Sequence, residues 1–199
     1  MERRNQAHNP DTILLITVAI LVIGGLLMLY SASFVIASDE GADPAYYFTR
    51  QLLIGAGGII VLLFLGLVDY HRWQKLSLPF LVGIVGLLVA VLVIGRGPGT
   101  TRSWFVVGPL YMQPSEFAKL ALVIYMAAWL PQKGEDIRNF LNGTIPFALI
   151  VAVVGGLVAL QPDFGTAIIL VTMAAAVFFI AGADLGQLAL IGLAGVSVL

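Results

Sequence analysis

Residues 12–37 read TILLITVAILVIGGLLMLYSASFVIA, without a single charged side chain. An α-helix needs about 20 apolar residues to cross the hydrocarbon of a bilayer, and this stretch exceeds that. A cleaved secretory signal would carry a shorter apolar region and a small-residue cleavage site ahead of soluble sequence. Here more apolar runs follow, so the first is read as a retained helix. Further spans read at Gln51 to Val68, Leu76 to Ile94, Ser115 to Leu130, Thr144 to Leu160 and Gly165 to Ala181, separated by charges, Gly or Pro. A seventh begins near Leu185 and is still apolar at Leu199, so the natural chain is expected to continue further. The predicted fold class is all-α: a polytopic integral membrane protein with about six complete transmembrane helices and the start of a seventh. Residues 1–199 are read as the first part of one transmembrane domain, with Met1 to Asp11 as a polar tail.

Composition agrees. With 60% hydrophobic and 11% charged residues and a mean hydropathy of +1.01, the chain has more apolar surface than a water-soluble core of 199 residues could enclose. A net charge of −1, with ten Lys and Arg residues scattered along the chain, provides no basic field for nucleic acid. The absence of cysteine excludes disulfides, thiolate metal sites and cysteine nucleophiles. Neither histidine has a partner at metal-ligand spacing, so no metal site is read.

Orientation follows from the Lys and Arg residues of alternate loops, because positive residues stay cytoplasmic. One set holds six (Arg3, Arg4, Arg72, Lys75, Lys133, Arg138) and the other three (Arg50, Arg96, Arg102), beside Asp39, Glu40 and Asp43. The N-terminus is therefore predicted to be cytoplasmic. Ser38 to Tyr47, Gly95 to Pro114 and Gln161 to Phe164 then face outward, and Lys119 is the one basic residue within a span.

The fourth span opens Gln113-Pro114-Ser115-Glu116-Phe117-Ala118-Lys119. Pro114 suits a first helical position, where its missing N–H has no helical partner to lose. Glu116 and Lys119 lie three apart, on one helix face where they can pair. At 1.5 Å per residue, Lys119 sits on the order of 8 Å inside the helix start, within snorkelling reach of the interface. Burying such a charge costs at least about 2.5 kcal/mol, which marks it for function, although an ion pair between packed helices explains it too. A second Gln-Pro motif, Gln161-Pro162-Asp163-Phe164-Gly165-Thr166-Ala167, opens the sixth span. Asp163 either caps that helix or joins a site. Two helix N-termini, two acids, Lys119 and Arg102 are thus expected on one outer region, an arrangement suited to an anion such as phosphate.

The preceding loop, Gly95-Arg96-Gly97-Pro98-Gly99-Thr100-Thr101-Arg102-Ser103-Trp104-Phe105, reads as an irregular surface loop. It lacks the Gly-Lys-Ser/Thr ending of a P-loop. Arg102 with Trp104 suits a phosphate and a sugar face, and Trp104 equally suits an interfacial anchor. Tyr30-Ser31-Ala32-Ser33 supplies small residues for helix packing. The loops carrying His71, Arg72, Lys75 and Lys133 to Arg138 read as solvated topology signals.

Taken together, Tyr30 to Ser33, Arg50-Gln51-Leu52, Arg102-Ser103-Trp104, Gly108-Pro109, Gln113 to Lys119 and Gln161 to Ala167 resemble, in order, the SEDS family of shape, elongation, division and sporulation proteins. The Tyr-Ser-Ala-Ser ending and Pro-Asp-Phe-Gly-Thr are more similar to its FtsW members than to its RodA members. The resemblance implies a ten-helix enzyme of the bacterial cytoplasmic membrane that polymerises lipid II, the undecaprenyl diphosphate-linked disaccharide peptide. It implies a class B penicillin-binding protein and divisome or elongasome proteins as partners. It assigns Arg102 and Lys119 to lipid II phosphates and Glu116 to orienting Lys119. Asp163 is assigned to shaping the cavity or holding a divalent cation, with Trp104, Gln113, Ser115, Gln161 and Thr166 in support. The family's expected catalytic base lies on an outer loop after the seventh helix, beyond Leu199, so these residues alone are not expected to catalyse. The alternatives are a lipid II flippase or other transporter using Glu116, Lys119 and Asp163 as a path, and a scaffold for division partners.

Overall fold

The structure, a computed structural model, describes residues 11–40, 45–97, 101–107 and 110–196. The basic tail with Arg3 and Arg4, Asp43, Pro98 to Thr100, Gly108-Pro109 and the last three residues lie outside them. Two compact units divide the chain, Met1–Val68 and Asp69–Leu199.

The first unit is a helical hairpin of α1 (Thr12–Glu40) and α2 (Ala45–Gly66). Asp11 starts α1 by accepting the main-chain N–H groups of Ile13 and Leu14 at 2.9 and 3.1 Å, two of the donors a helix start leaves unpaired. Tyr30 and Phe48 meet edge to face at 5.5 Å near the connected ends of the two helices. Ile13, Leu53 and Phe64 are two-thirds or more exposed, as side chains that face lipid would be. The loop between these helices is shorter than the Ser38 to Tyr47 read from sequence, because α1 runs on through Glu40 and α2 begins at Ala45.

The second unit contains α3 (Tyr70–Ile94), a hairpin of β1 (Phe105–Val107) and β2 (Leu110–Met112), α4 (Pro114–Trp129), α5 (Ile145–Ala159), α6 (Phe164–Ile180) and α7 (Leu185–Val196). Asp69 caps α3 by accepting the N–H of His71 at 3.0 Å. Its carboxylate also lies 2.7 Å from the ring Nδ1 of His71. The third span accordingly starts six residues before the expected Leu76. His71, Arg72 and Lys75 form its first turns rather than a loop. Between α4 and α5 the chain makes two 3-10 turns and a π-helical turn over Phe140–Thr144. Gly143 sits so close to the main chain there that a Cβ would lie 2.3 Å from the Ile137 carbonyl oxygen.

The core of this unit is where α3, α4, α5 and α6 pack. Leu88, Leu122, Met126, Val154 and Leu170 are fully buried, and Phe147 stacks on Phe178 with centroids 4.0 Å apart. Lipid is as apolar as leucine, so helix association here depends on close van der Waals packing. Small residues provide it: Ala118 and Ala121 are fully buried on α4, and the space at Gly155 on α5 opens onto Val171 of α6. All seven helices occur where the apolar runs place them, and the fold is that of an all-α polytopic membrane protein. Among the described residues, four helical stretches are long and apolar enough to span a membrane: Thr12–Ser33, Tyr46–Gly66, Tyr70–Ile94 and Phe140–Ala159. α4 and α6, of 16 and 17 residues, start at the polar Gln-Pro motifs.

Candidate functional site

The site region is one end of the second unit, where the β-hairpin, the start of α4 and the start of α6 meet. The segment read as irregular is partly ordered. Arg96 and Trp104 exchange main-chain hydrogen bonds of 2.8 and 3.0 Å, and β1 pairs antiparallel with β2, Phe105 opposite Met112. The pairing arises because Trp104, Phe105, Val106 and Tyr111 favour extended backbone at a half-buried surface. Trp104 meets Tyr111 edge-on at 6.4 Å. At Gly95, the end of α3, a Cβ would lie 2.2 Å from the Val91 carbonyl oxygen of the last turn and 3.0 Å from that of Arg102 in the returning loop, so a side chain does not fit where the helix closes.

Two side-chain links join this loop and α4 to the start of α6. Ser103, which is buried, donates from Oγ to the Gln161 carbonyl oxygen at 3.2 Å. Gln113, at the cap position of α4, makes no side-chain bond to its own helix. Its Nε2 instead donates to Asp163 Oδ2 at 2.7 Å. The other oxygen of Asp163 accepts the Thr166 main-chain N–H at 3.2 Å. Asp163 is therefore both the cap of α6, as one reading of it had it, and the acceptor of an interhelical bond. Ser103 was not among the expected site residues. Its signal was its place between Arg102 and Trp104, where a short polar side chain turns inward from a loop.

One turn into α4, Lys119 Nζ lies 2.7 Å from Glu116 Oε1. The Lys119 side chain is 21% exposed and that of Glu116 55%, so the ammonium is sheltered while its partner reaches outward. Pro114 occupies the first helical position, as its chemistry requires. Ser115 and Gln161 are fully buried, and neither Ser115 Oγ nor either amide atom of Gln161 has a hydrogen-bond partner among the described residues. Buried polar groups are normally paired, and each orphan costs about 1–3 kcal/mol, which sets this layer apart from the packed core below it.

The expected convergence is only partly realised. Gln113, Asp163 and Thr166 form one connected group, and Glu116 with Lys119 a second, one turn along α4. Arg102 belongs to neither. Its guanidinium lies 3.5 Å from the Leu92 carbonyl oxygen in the last turn of α3, where unpaired carbonyls and the helix dipole favour a cation.

A family model described as "Cell cycle protein", for FtsW, RodA and SpoVE, matches residues 11–199. The chain is 37% identical over 191 residues to Stage V sporulation protein E of Bacillus subtilis, covering 95% of this chain and 52% of that protein. It is 36% identical over 178 residues to a protein of Trichlorobacter lovleyi named Probable peptidoglycan glycosyltransferase FtsW, covering 88% and 46%. Its fold is similar to that of the Thermus thermophilus rod shape determining protein RodA, with a TM-score of 0.67 and 31% identity over 90% of this chain and 58% of RodA. It is equally similar, at TM-score 0.67 and 31% identity over 88% and 52%, to a chain from a structure titled as the coordination of polymerization and crosslinking by a peptidoglycan synthase complex. The chain spans about half the length of the curated relatives it matches. With the family model matching from Asp11 to the last residue and the fold shared with RodA, the chain belongs to the FtsW/RodA/SpoVE family of multi-pass proteins of the bacterial cytoplasmic membrane.

Proposed function

We propose that the protein, at the length of its relatives, is a peptidoglycan glycosyltransferase that polymerises lipid II on the outer face of the cytoplasmic membrane. The observation that carries this reading is the Glu116–Lys119 pair. It is a sheltered ammonium one turn inside a helix start, next to a second helix start fixed by Gln113 and Asp163. In the reaction, a sugar hydroxyl of one lipid II forms a bond to the anomeric carbon of another. The bond from that carbon to the diphosphate breaks, a base takes the hydroxyl proton, and undecaprenyl diphosphate leaves. Lys119 is suited to the charge that develops on the diphosphate, and Glu116 holds its ammonium in place. The N-terminal ends of α4 and α6 add the favourable end of two helix dipoles. Arg102 contributes once it leaves the Leu92 carbonyl. Asp163 shapes the site through its bonds to Gln113 and to the Thr166 main chain, and the lone pairs those bonds leave on its oxygens are the ones that would hold a divalent cation. The base is assigned to a residue outside this chain.

A class B penicillin-binding protein is the proposed partner, a reading supported by the synthase complex to which this fold is similar. The test is the full-length protein, purified with that partner, given labelled lipid II and its products separated on a gel beside the Lys119→Ala variant. The expected result is a glycan ladder that the variant loses while still inserting in membranes. No ladder, together with lipid II crossing vesicles that contain the protein, would replace the polymerase with a flippase. Arg102→Ala is expected to weaken lipid II binding, and unchanged affinity removes Arg102 from the site.

A further inference from the structure

At the opposite end of the second unit, the turns joining α4 to α5 and α6 to α7 enclose an open cavity of about 550 Å³. It is lined by Gly134, Glu135, Arg138, Ala181 and Gly182. That volume is in the range of small-ligand sites. One wall is firmly built. Arg138 Nε donates to the Gly182 carbonyl oxygen at 3.3 Å, and Gln187 Nε2 donates to the Arg138 carbonyl oxygen at 3.0 Å. Gln187 Oε1 in turn accepts from the buried Thr144 hydroxyl.

Fixing Arg138 through Nε sets the plane of its guanidinium and leaves its two amino groups without a hydrogen bond among the described residues. Glu135 lines the same cavity and makes no ion pair within 4.0 Å among the described residues, with Arg138 or any other cation. Gly134 and Gly182 both take positive φ, 53° and 99°, where a side chain is unfavourable, and nothing lies within 4 Å of either Cβ position. The cavity thus presents one anion-binding and one cation-binding group that do not pair with each other.

Its level in the membrane narrows the ligand. The distribution of Lys and Arg puts this end at the cytoplasmic surface. Nearby, Lys133 lies over the Trp129 ring at 5.2 Å, an aromatic and a basic residue of the kind found at a headgroup layer. A ligand that matches has a phosphate and an N–H-bearing cation joined by a short linker, at a membrane surface. We infer that this cavity binds the phosphoethanolamine headgroup of a zwitterionic phospholipid, its phosphate on Arg138 and its ammonium on Glu135. A phosphatidylglycerol headgroup would satisfy Arg138 but set an uncharged alcohol and a phosphate against the Glu135 carboxylate. Phosphatidylcholine has no N–H to donate to Glu135.

Native mass spectrometry of the full-length protein, equilibrated with equal amounts of phosphatidylethanolamine, phosphatidylcholine and phosphatidylglycerol of matched chains, tests this. The expected result is one preferentially retained phosphatidylethanolamine. Glu135→Gln, which removes no hydrogen bond seen among the described residues, should lower its retention about fivefold, leave phosphatidylcholine unaffected and raise phosphatidylglycerol, whose phosphate no longer faces a carboxylate. Arg138→Gln should lower retention of all three, whereas Gln187→Leu, which loosens the wall but keeps both charges, should lower it less. Equal retention of the three lipids, a preference for phosphatidylglycerol, or unchanged phosphatidylethanolamine retention in Glu135→Gln would each overturn the inference. Displacement of the lipid by equimolar soluble glycerophosphoethanolamine would overturn its membrane source.

Discussion

The two ends of the second unit solve the same problem, joining neighbouring helices across a turn, with different chemistry. At the outer end the link runs between side chains, from the Gln113 amide to the Asp163 carboxylate, with the Glu116–Lys119 pair just below. At the inner end it runs mostly from side chains to main-chain carbonyls, from Arg138 to Gly182 and from Gln187 to Arg138, beside one side-chain bond from Thr144 to Gln187, whereas the outer end has a single bond of the main-chain kind between its elements, from Ser103 to Gln161. Bonds to the main chain hold a turn in one shape. An exposed carboxylate and a sheltered ammonium can exchange partners, which is what a group that handles a departing anion must do. The difference is between an end tied mainly by bonds to the main chain and an end where an ion pair stands one turn from a side-chain tie.

The largest effect expected from breaking this contrast is at Lys119. Lys119→Ala should lower the rate of glycan polymerisation by about 100-fold or more, measured on labelled lipid II, with the melting temperature little changed. At the inner end the effect should fall on stability instead. Gln187→Leu leaves the buried Thr144 hydroxyl without its partner and should cost about 1–3 kcal/mol in a thermal or denaturant melt in detergent. The outer tie should be weaker than its short distance suggests. A double-mutant cycle of Gln113→Ala and Asp163→Asn is expected to give a coupling of about 0.6 kcal/mol, since hydrogen bonds between membrane helices average little more than that. A coupling near zero would mean that the two helix starts are held by packing alone.

The smallest effect is at Asp69, the cap of α3, away from both sets of contacts. The His71 main-chain N–H and then its ring hold the Asp69 carboxyl below the usual carboxylate value. A group lowered on folding contributes stability above its unfolded pKa and loses it as pH falls through the folded value. The melting temperature should therefore decline slightly as pH drops through the acidic range below about 4, and Asp69→Asn should flatten that part of the profile.

The placement of helices was legible in the sequence because it depends on local quantities. Runs of apolar residues long enough to satisfy every backbone group in lipid leave the chain almost no other choice. Pro114 and Asp163 were readable for the same reason, since a first helical position and a cap are decided by a few neighbouring residues. Small corrections came where polar residues continue a helix, as His71 to Lys75 do at the start of α3. The pairing of Glu116 with Lys119 also follows from spacing on one helix.

Contacts between distant positions were not legible. Nothing in the order of residues says that Ser103 reaches Gln161, 58 positions away, or that Gln113 turns from its own helix to Asp163. Arg102 lies in the same loop as Ser103, yet it satisfies the end of α3 and does not join Lys119. Likewise, Glu135 and Arg138 read as solvated charges until the turns bring Gly182 beside them. By itself the sequence determined the membrane class, the helix positions and the caps, because burial in lipid and helix ends are governed by residues within a few positions of one another. Tertiary structure alone decided which polar groups meet, because in lipid those pairings depend on how closely small residues such as Ala118 and Ala121 let the helices approach.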